Sequence, residues 1–117
     1  MDILSIIILI SSLIALIYAG VQAYFIIRED EGTEKMKEIA RAIQEGSKAF
    51  LNRQYRTIAI VAAILAIIIA FALPDGWILA TGFVVGAAGS AIAGYIGMHI
   101  SIRANVRTAN KAKEGIR

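Results

Sequence analysis

Three stretches of the chain carry no Asp, Glu, Lys or Arg: Ile3 to Ile27, Ile58 to Leu73 and Trp77 to Ile102. The first is 25 residues long, enough helix at about 1.5 Å per residue to cross a hydrocarbon core of about 30 Å. Fifteen of its residues are Ile, Leu, Val or Phe, so it is expected to insert into a bilayer unaided. A cleaved leader ending at Val21-Gln22-Ala23 is the rival reading, but the run is too long for one and Asp2 stands where a basic segment belongs. The second run has only 16 residues, about 24 Å of helix. Its upstream flank makes up the length, with Tyr55 at headgroup depth and Arg56 snorkelling to the interface. It stops at Pro74-Asp75-Gly76, a turn signal that also ends the helix.

The third run opens on an interfacial tryptophan and holds only nine Ile, Leu, Val or Phe, so it needs neighbouring helices for stability. Gly82, Gly86, Ser90 and Gly94 recur every four residues, and Gly89, Ala93 and Gly97 form a parallel row. Faces of this kind let helix backbones approach closely, which makes Gly82, Gly86, Ser90, Gly94 and Gly97 the candidate helix-packing positions. Between the first two runs, an acidic turn at Glu29-Asp30-Glu31-Gly32 precedes Thr33, a capping residue. From there Met36, Ile39, Ala40, Ile43, Ser47, Phe50, Leu51 and Gln54 share one helical face. Nothing but Gly46 interrupts the pattern, so one rod of roughly 60 Å is expected from Glu34 to Leu73. Its first half carries an apolar stripe that protein or lipid must cover.

The chain of 117 residues is 58% hydrophobic and 18% charged, against about 45–50% and about 25% in soluble domains, and it has no cysteine. That excludes a water-soluble globule, a disordered segment and any disulfide or thiolate chemistry. The net charge of +3 would suit nucleic acid, but its placement assigns it to membrane orientation. Seven Lys and Arg lie between Arg28 and Thr57 and five after the third span (Arg103, Arg107, Lys111, Lys113, Arg117), with none before the first span or in the Pro74 turn. By the positive-inside rule the N-terminus lies outside the cytoplasm, and loop 28–55 and tail 103–117 lie inside it. The fold expected is an all-α, multi-pass membrane protein: one polytopic domain over 1–117 with spans at 3–27, 56–73 and 77–102, and an amphipathic cytoplasmic extension of the second helix. No nucleic-acid partner is expected.

Candidate chemistry is sparse. There is no phosphate loop, no metal-ligand spacing and no nucleophile beside a base. The cluster Glu29, Asp30, Glu31 and Glu34 has the carboxylates for Mg²⁺, yet it reads better as a solvated turn whose charge suits a helix N-terminus. His99 sits near Arg103 at the edge of the third span and reads as a hydrated interfacial histidine rather than an ion-path group. Arg103, Arg107 and Lys111 at four-residue spacing fit anionic headgroups or simple orientation charge. Ser11, Tyr18 and Gln22 in the first span read as helix contacts.

Two stretches carry a family resemblance. Met36 to Ile58, containing Glu45-Gly46-Ser47-Lys48-Ala49-Phe50-Leu51 and Arg53-Gln54-Tyr55, resembles the loop and second helix of the membrane-bound, ion-pumping pyrophosphatases. Gly82 to Ala109, through Gly82-Phe83-Val84-Val85-Gly86-Ala87, Ala93-Gly94-Tyr95-Ile96-Gly97-Met98 and Ala104-Asn105-Val106-Arg107-Thr108-Ala109, resembles that family's third helix and following loop. Arg53, Gln54, Asn105 and Arg107 match as loop positions of the pattern. The resemblance implies a pump of about sixteen spans, usually a homodimer in the lipid bilayer, that hydrolyses pyrophosphate with Mg²⁺, and K⁺ as a further candidate, to export H⁺ or Na⁺. It also implies that the Asp-rich catalytic motifs lie on later, inner helices. This segment would then hold no catalytic residue and no metal, and would pack as scaffold against the remaining helices. The basic stretch from Ala109 onward leads in the family into a fourth span, so the chain is expected to be the N-terminal part of a longer protein. The alternative is a complete three-helix membrane adaptor or assembly protein.

Overall fold

A computed structural model describes residues 2–115; Arg117, counted above among the orientation charges, lies outside them. The described chain is helical: α1 (Ile3–Arg28), α2 (Glu34–Ala72) and α3 (Gly76–Lys111), with a 3-10 turn over Ala112–Glu114. Thr33 caps α2 as expected, its hydroxyl accepting from the Met36 amide at 3.3 Å. From Glu34 the helix runs unbroken through Gly46 to Ala72. All three helices are long and apolar enough to cross a membrane.

α2 and α3 form an antiparallel hairpin. The chain reverses at Pro74 and Asp75, where Asp75 takes the left-handed conformation at φ 54°. A β-branched residue there would meet its own backbone. Asp75→Val is therefore expected to destabilise the hairpin by about 1–2 kcal/mol, with Asp75→Asn close to neutral, as read by the thermal midpoint of the purified protein in detergent.

The seam of the hairpin is made of alanines. Ala62, Ala66 and Ala70 of α2 and Ala80, Phe83, Ala87 and Ala91 of α3 are among the positions shielded along the two apolar runs. Small side chains every fourth residue bring the helices close, and van der Waals contact holds them. At the far end Leu51 of α2 and Ile102 and Val106 of α3 are buried together with Ala40. Part of the apolar stripe on α2 is thus covered by α3, which continues as helix past Ile102 because no Gly or Pro interrupts it before Gly115. Ile39, Ile43 and Phe50 of that stripe stay open.

α1 is different. None of its residues is buried, and it touches α3 without packing on α2. The molecule is consequently flat and splayed, 58 × 39 × 18 Å.

Candidate functional site

The most developed polar structure lies where the α1–α2 turn meets the end of α3. Glu29 leaves α1 in extended conformation, Asp30 accepts from the Gly32 amide at 3.0 Å, and Gly32 turns the chain at φ +95°. Gly32 has a second reason to lack a side chain: a Cβ there would stand 2.7 Å from Met36 Sδ and 2.8 Å from Asn110 Oδ1.

Arg107 reaches this turn from α3. Its Nε donates to the Glu29 carbonyl at 3.1 Å, and one terminal nitrogen donates to the Arg103 carbonyl at 2.7 Å. The other meets Glu31 Oε1 at 3.1 Å in an ion pair. The residue is 9% exposed, and its planar fork suits three acceptors in different directions. One turn further on, Asn110 donates to the Asp30 carbonyl at 3.3 Å and Lys111 pairs with Glu29 at 3.1 Å. Hydrogen bonding to Glu29, and after it to Glu114, holds the Lys111 ammonium above the ordinary lysine range. A raised lysine pKa contributes across neutral pH and is lost only in strong alkali.

This geometry revises several expectations. The acidic turn is a strap tied to α3 rather than a free solvated loop, because Arg107 and Lys111 stand opposite its carboxylates and carbonyls. Arg107 and Lys111 are therefore engaged within the chain, not free for headgroups. Asn105 and Arg107 are helical rather than in a loop, since α3 continues to Lys111, whereas Arg53 and Gln54 lie within α2, on the continuous rod expected from Glu34. Arg53 and Gln54 are exposed and make no side-chain hydrogen bond among the described residues. Asn105 borders a groove beside Met36, Ile39, Ala40 and Ile43. With Glu29 and Glu31 committed to cations and Asp30 to the turn, this donor set does not fit a metal, and no metal-ligating group of three forms among the described residues.

The second contact between helices is aromatic. Tyr55 donates its hydroxyl to the Ala91 carbonyl at 3.0 Å and is partly buried on α3 rather than turned to the headgroups alone. Tyr95 lies 6.0 Å from Tyr55, and His99 stacks on Tyr95 at 6.0 Å and 14°. A Cβ on Gly94 would come within 2.9 Å of the Tyr55 hydroxyl. The other candidate glycines, Gly82, Gly86 and Gly97, meet nothing within 4 Å, and neither does Gly89; Ser90 is exposed. Within this chain the seam uses the neighbouring alanine row instead, whose four-residue spacing was visible in the sequence but less conspicuous than the glycines.

Tyr55→Phe is expected to cost about 0.6 kcal/mol, the mean for interhelical hydrogen bonds in membranes. Gly94→Ala displaces the same hydroxyl, so the double substitution should cost less than the sum of the singles. A thermal-stability cycle in detergent checks this, and strict additivity would refute the shared contact.

The family model for inorganic H⁺ pyrophosphatase matches residues 13–117. The chain belongs to the H⁺ pyrophosphatase family. It is 54% identical over 106 residues, 91% of its own length, to the K⁺-insensitive pyrophosphate-energized proton pump of Methanosarcina mazei. It is 43% identical over 104 residues to pump 2 of that name from Moorella thermoacetica, covering 89% of this chain. A pump of the same description from Pyrobaculum aerophilum is 43% identical over 103 residues, 85% of this chain. The chain spans 16%, 15% and 14% of these relatives, respectively. No solved structure matches. The family match includes α2, α3 and most of α1, and so contains both the Arg107 strap and the Tyr55 contact.

Proposed function

We propose that this chain serves as the N-terminal scaffold of a membrane pump that couples pyrophosphate hydrolysis to proton export, with the catalytic residues outside it. The observation that carries the reading is the 54% identity across 91% of the chain to a pyrophosphate-energized proton pump. The names of the relatives favour H⁺ over Na⁺ and argue against a K⁺ requirement. Mg²⁺, as the usual partner of a pyrophosphatase substrate, is then held with pyrophosphate by other parts of the protein, because Glu29 and Glu31 of the one acidic cluster here already pair with Lys111 and Arg107.

In this reading the three helices belong to the outer ring of a bundle of about sixteen spans, in a homodimer embedded in lipid. Residues 1–117 form part of one polytopic domain. The N-terminus faces away from the cytoplasm, and the first half of α2 and the end of α3 stand on the cytoplasmic side as an amphipathic extension, as the Lys and Arg distribution favours. The exposed α1, the open Gly82, Gly86, Ser90 and Gly97 positions and the uncovered Ile39, Ile43 and Phe50 are seats for the remaining helices of the protein and for lipid. Arg53, Gln54 and Asn105, exposed near the same end, contribute surface, and Arg107 holds the strap.

The test is to express the full reading frame and measure pyrophosphate-dependent acidification of inverted vesicles with and without K⁺ and Na⁺. Proton uptake independent of both ions is the expected result. A native frame that closes after Arg117, or a longer protein that hydrolyses no pyrophosphate, would defeat the reading and leave the adaptor. For the packing role, Gly86→Leu in the full protein should lower yield and thermal midpoint. Wild-type values in both would refute it while leaving the pump intact.

A further inference from the structure

α2 and α3 leave an amphipathic cleft of about 410 Å³ between them, on the Lys- and Arg-rich side of the hairpin. It is lined by the buried Leu51 and Ile102, by Tyr95 and His99, and by the cations Lys48 and Arg103. Arg107 and Lys111 spend their charges on Glu31, Glu29 and Glu114. Lys48 and Arg103, in contrast, make no ion pair among the described residues, and the Arg103 guanidinium has only a 3.4 Å contact with the His99 carbonyl. Glu45, which also lines the cleft, pairs with neither of them.

Depth sets the chemistry of what this cleft meets. At the opposite end of the hairpin Trp77 packs on Phe71 with centroids 5.6 Å apart, marking an interface of the kind aromatic residues favour. Counting along α3 from Trp77, Tyr95 lies about 27 Å away, His99 about 33 Å and Arg103 about 39 Å. Counting along α2 from Phe71, Leu51 lies at about 30 Å and Lys48 at about 35 Å. A hydrocarbon core of about 30 Å with a headgroup layer of about 5–7 Å on each side puts Leu51 and Tyr95 at the end of the acyl region, and Ile102, about 38 Å along α3 from Trp77, at headgroup depth. The two cations then lie at phosphate depth.

We infer that this cleft is a binding site for an anionic glycerophospholipid, its phosphodiester held between Lys48 and Arg103 and its glycerol and upper acyl carbons resting on Leu51, Tyr95 and Ile102. The two cations against the one carboxylate of Glu45 leave a single positive charge for a single phosphodiester. Gln44 and Glu45 supply hydrogen-bond partners for hydroxyls on the headgroup, which matches phosphatidylglycerol better than a choline lipid. The inference needs the helices to span a bilayer but does not depend on which ion the full protein moves.

The experiment is native mass spectrometry of the full-length protein released from vesicles of equal parts phosphatidylglycerol and phosphatidylcholine, with thermal midpoints measured on titrating each lipid. Wild type should retain phosphatidylglycerol in preference to phosphatidylcholine and be stabilised by it. Lys48→Gln and Arg103→Gln should each weaken that preference about fivefold, and Arg53→Gln, a cation outside the cleft, should leave it unchanged. Equal retention of the two lipids by wild type, or an undiminished preference in the Lys48→Gln/Arg103→Gln double variant, would overturn the proposal. So would equal stabilisation by inorganic phosphate or pyrophosphate without lipid, which would assign the cleft to a soluble anion. Loss of lipid preference with pumping preserved, or the reverse, separates this site from the proposed function.

Discussion

Gly76→Ala should be among the most damaging single-methyl changes in this chain. A Cβ at this position would collide with the carbonyl oxygens of both Ile69 and Ala70. Those atoms are backbone in the last turn of α2, so no rotamer change relieves the clash. Gly76 opens α3 with its amide donating to the Leu73 carbonyl at 3.1 Å, and the first layer of the alanine seam, Ala70 against Ala80, follows directly. Making room for one methyl therefore means opening the turn and separating that layer. Overpacking of this kind costs about 3 kcal/mol or more where nothing flexible yields. Trp77, the sole tryptophan of the chain, sits next to the site and packs on Phe71, so its fluorescence in detergent reports the opening directly. Gly46→Ala supplies the contrast. Nothing lies within 4 Å of a Cβ there, and replacing a mid-helix glycine should raise stability by about 1 kcal/mol through helix propensity. Equal effects from the two substitutions would refute the turn argument.

Arg107→Ala should release α1. Three acceptors, the carbonyls of Glu29 and Arg103 and the carboxylate of Glu31, lose their donor at once. Glu31 is about one-third exposed and rehydrates, so the loss falls below that of a wholly buried pair. About 2–3 kcal/mol is expected, enough to shift local opening of the strap by more than about thirtyfold. Amide exchange over 29–33 reads this directly, and the helical amides of α2 beyond its first turn serve as an internal reference. Arg107→Lys keeps one charge but not the fork, and should recover only part of the protection. Glu31→Gln keeps an acceptor and should cost about 1 kcal/mol. Full protection in Arg107→Ala would show that the strap is held by Asn110 and Lys111 instead.

Both sites show where sequence reasoning reached its limit. The spacing of Gly82, Gly86, Ser90 and Gly94 announced a small-residue face, and α3 has one. Which of its small rows meets α2 depends on the rotation imposed by the Asp75–Gly76 turn, and that rotation brings Ala80, Ala87 and Ala91 inward. Pro74-Asp75-Gly76 was legible as a turn, whereas the closeness of Gly76 to the carbonyls of α2 is a distance between separate elements and leaves no periodic trace. Arg107 was legible as a basic residue of a family pattern. Its two partners in the strap lie 76 and 78 residues earlier in the chain, beyond the reach of any local spacing rule.

What the sequence by itself determined is what local chemistry determines. Charge-free runs of sufficient length dictate helices in lipid, because an unpaired backbone group there has no water to turn to; Thr33 starts α2, Pro74 ends it, and two ordered motifs name a family. The tertiary structure decided how these helices use their side chains on one another. It made the acidic turn a strap, carried α3 on to Lys111 to cover part of the stripe on α2, put the alanines rather than the glycines into the seam, and left Lys48 and Arg103 facing one cleft. Those outcomes rest on rotation, depth and approach between segments far apart in the chain, which periodicity along a single helix does not encode.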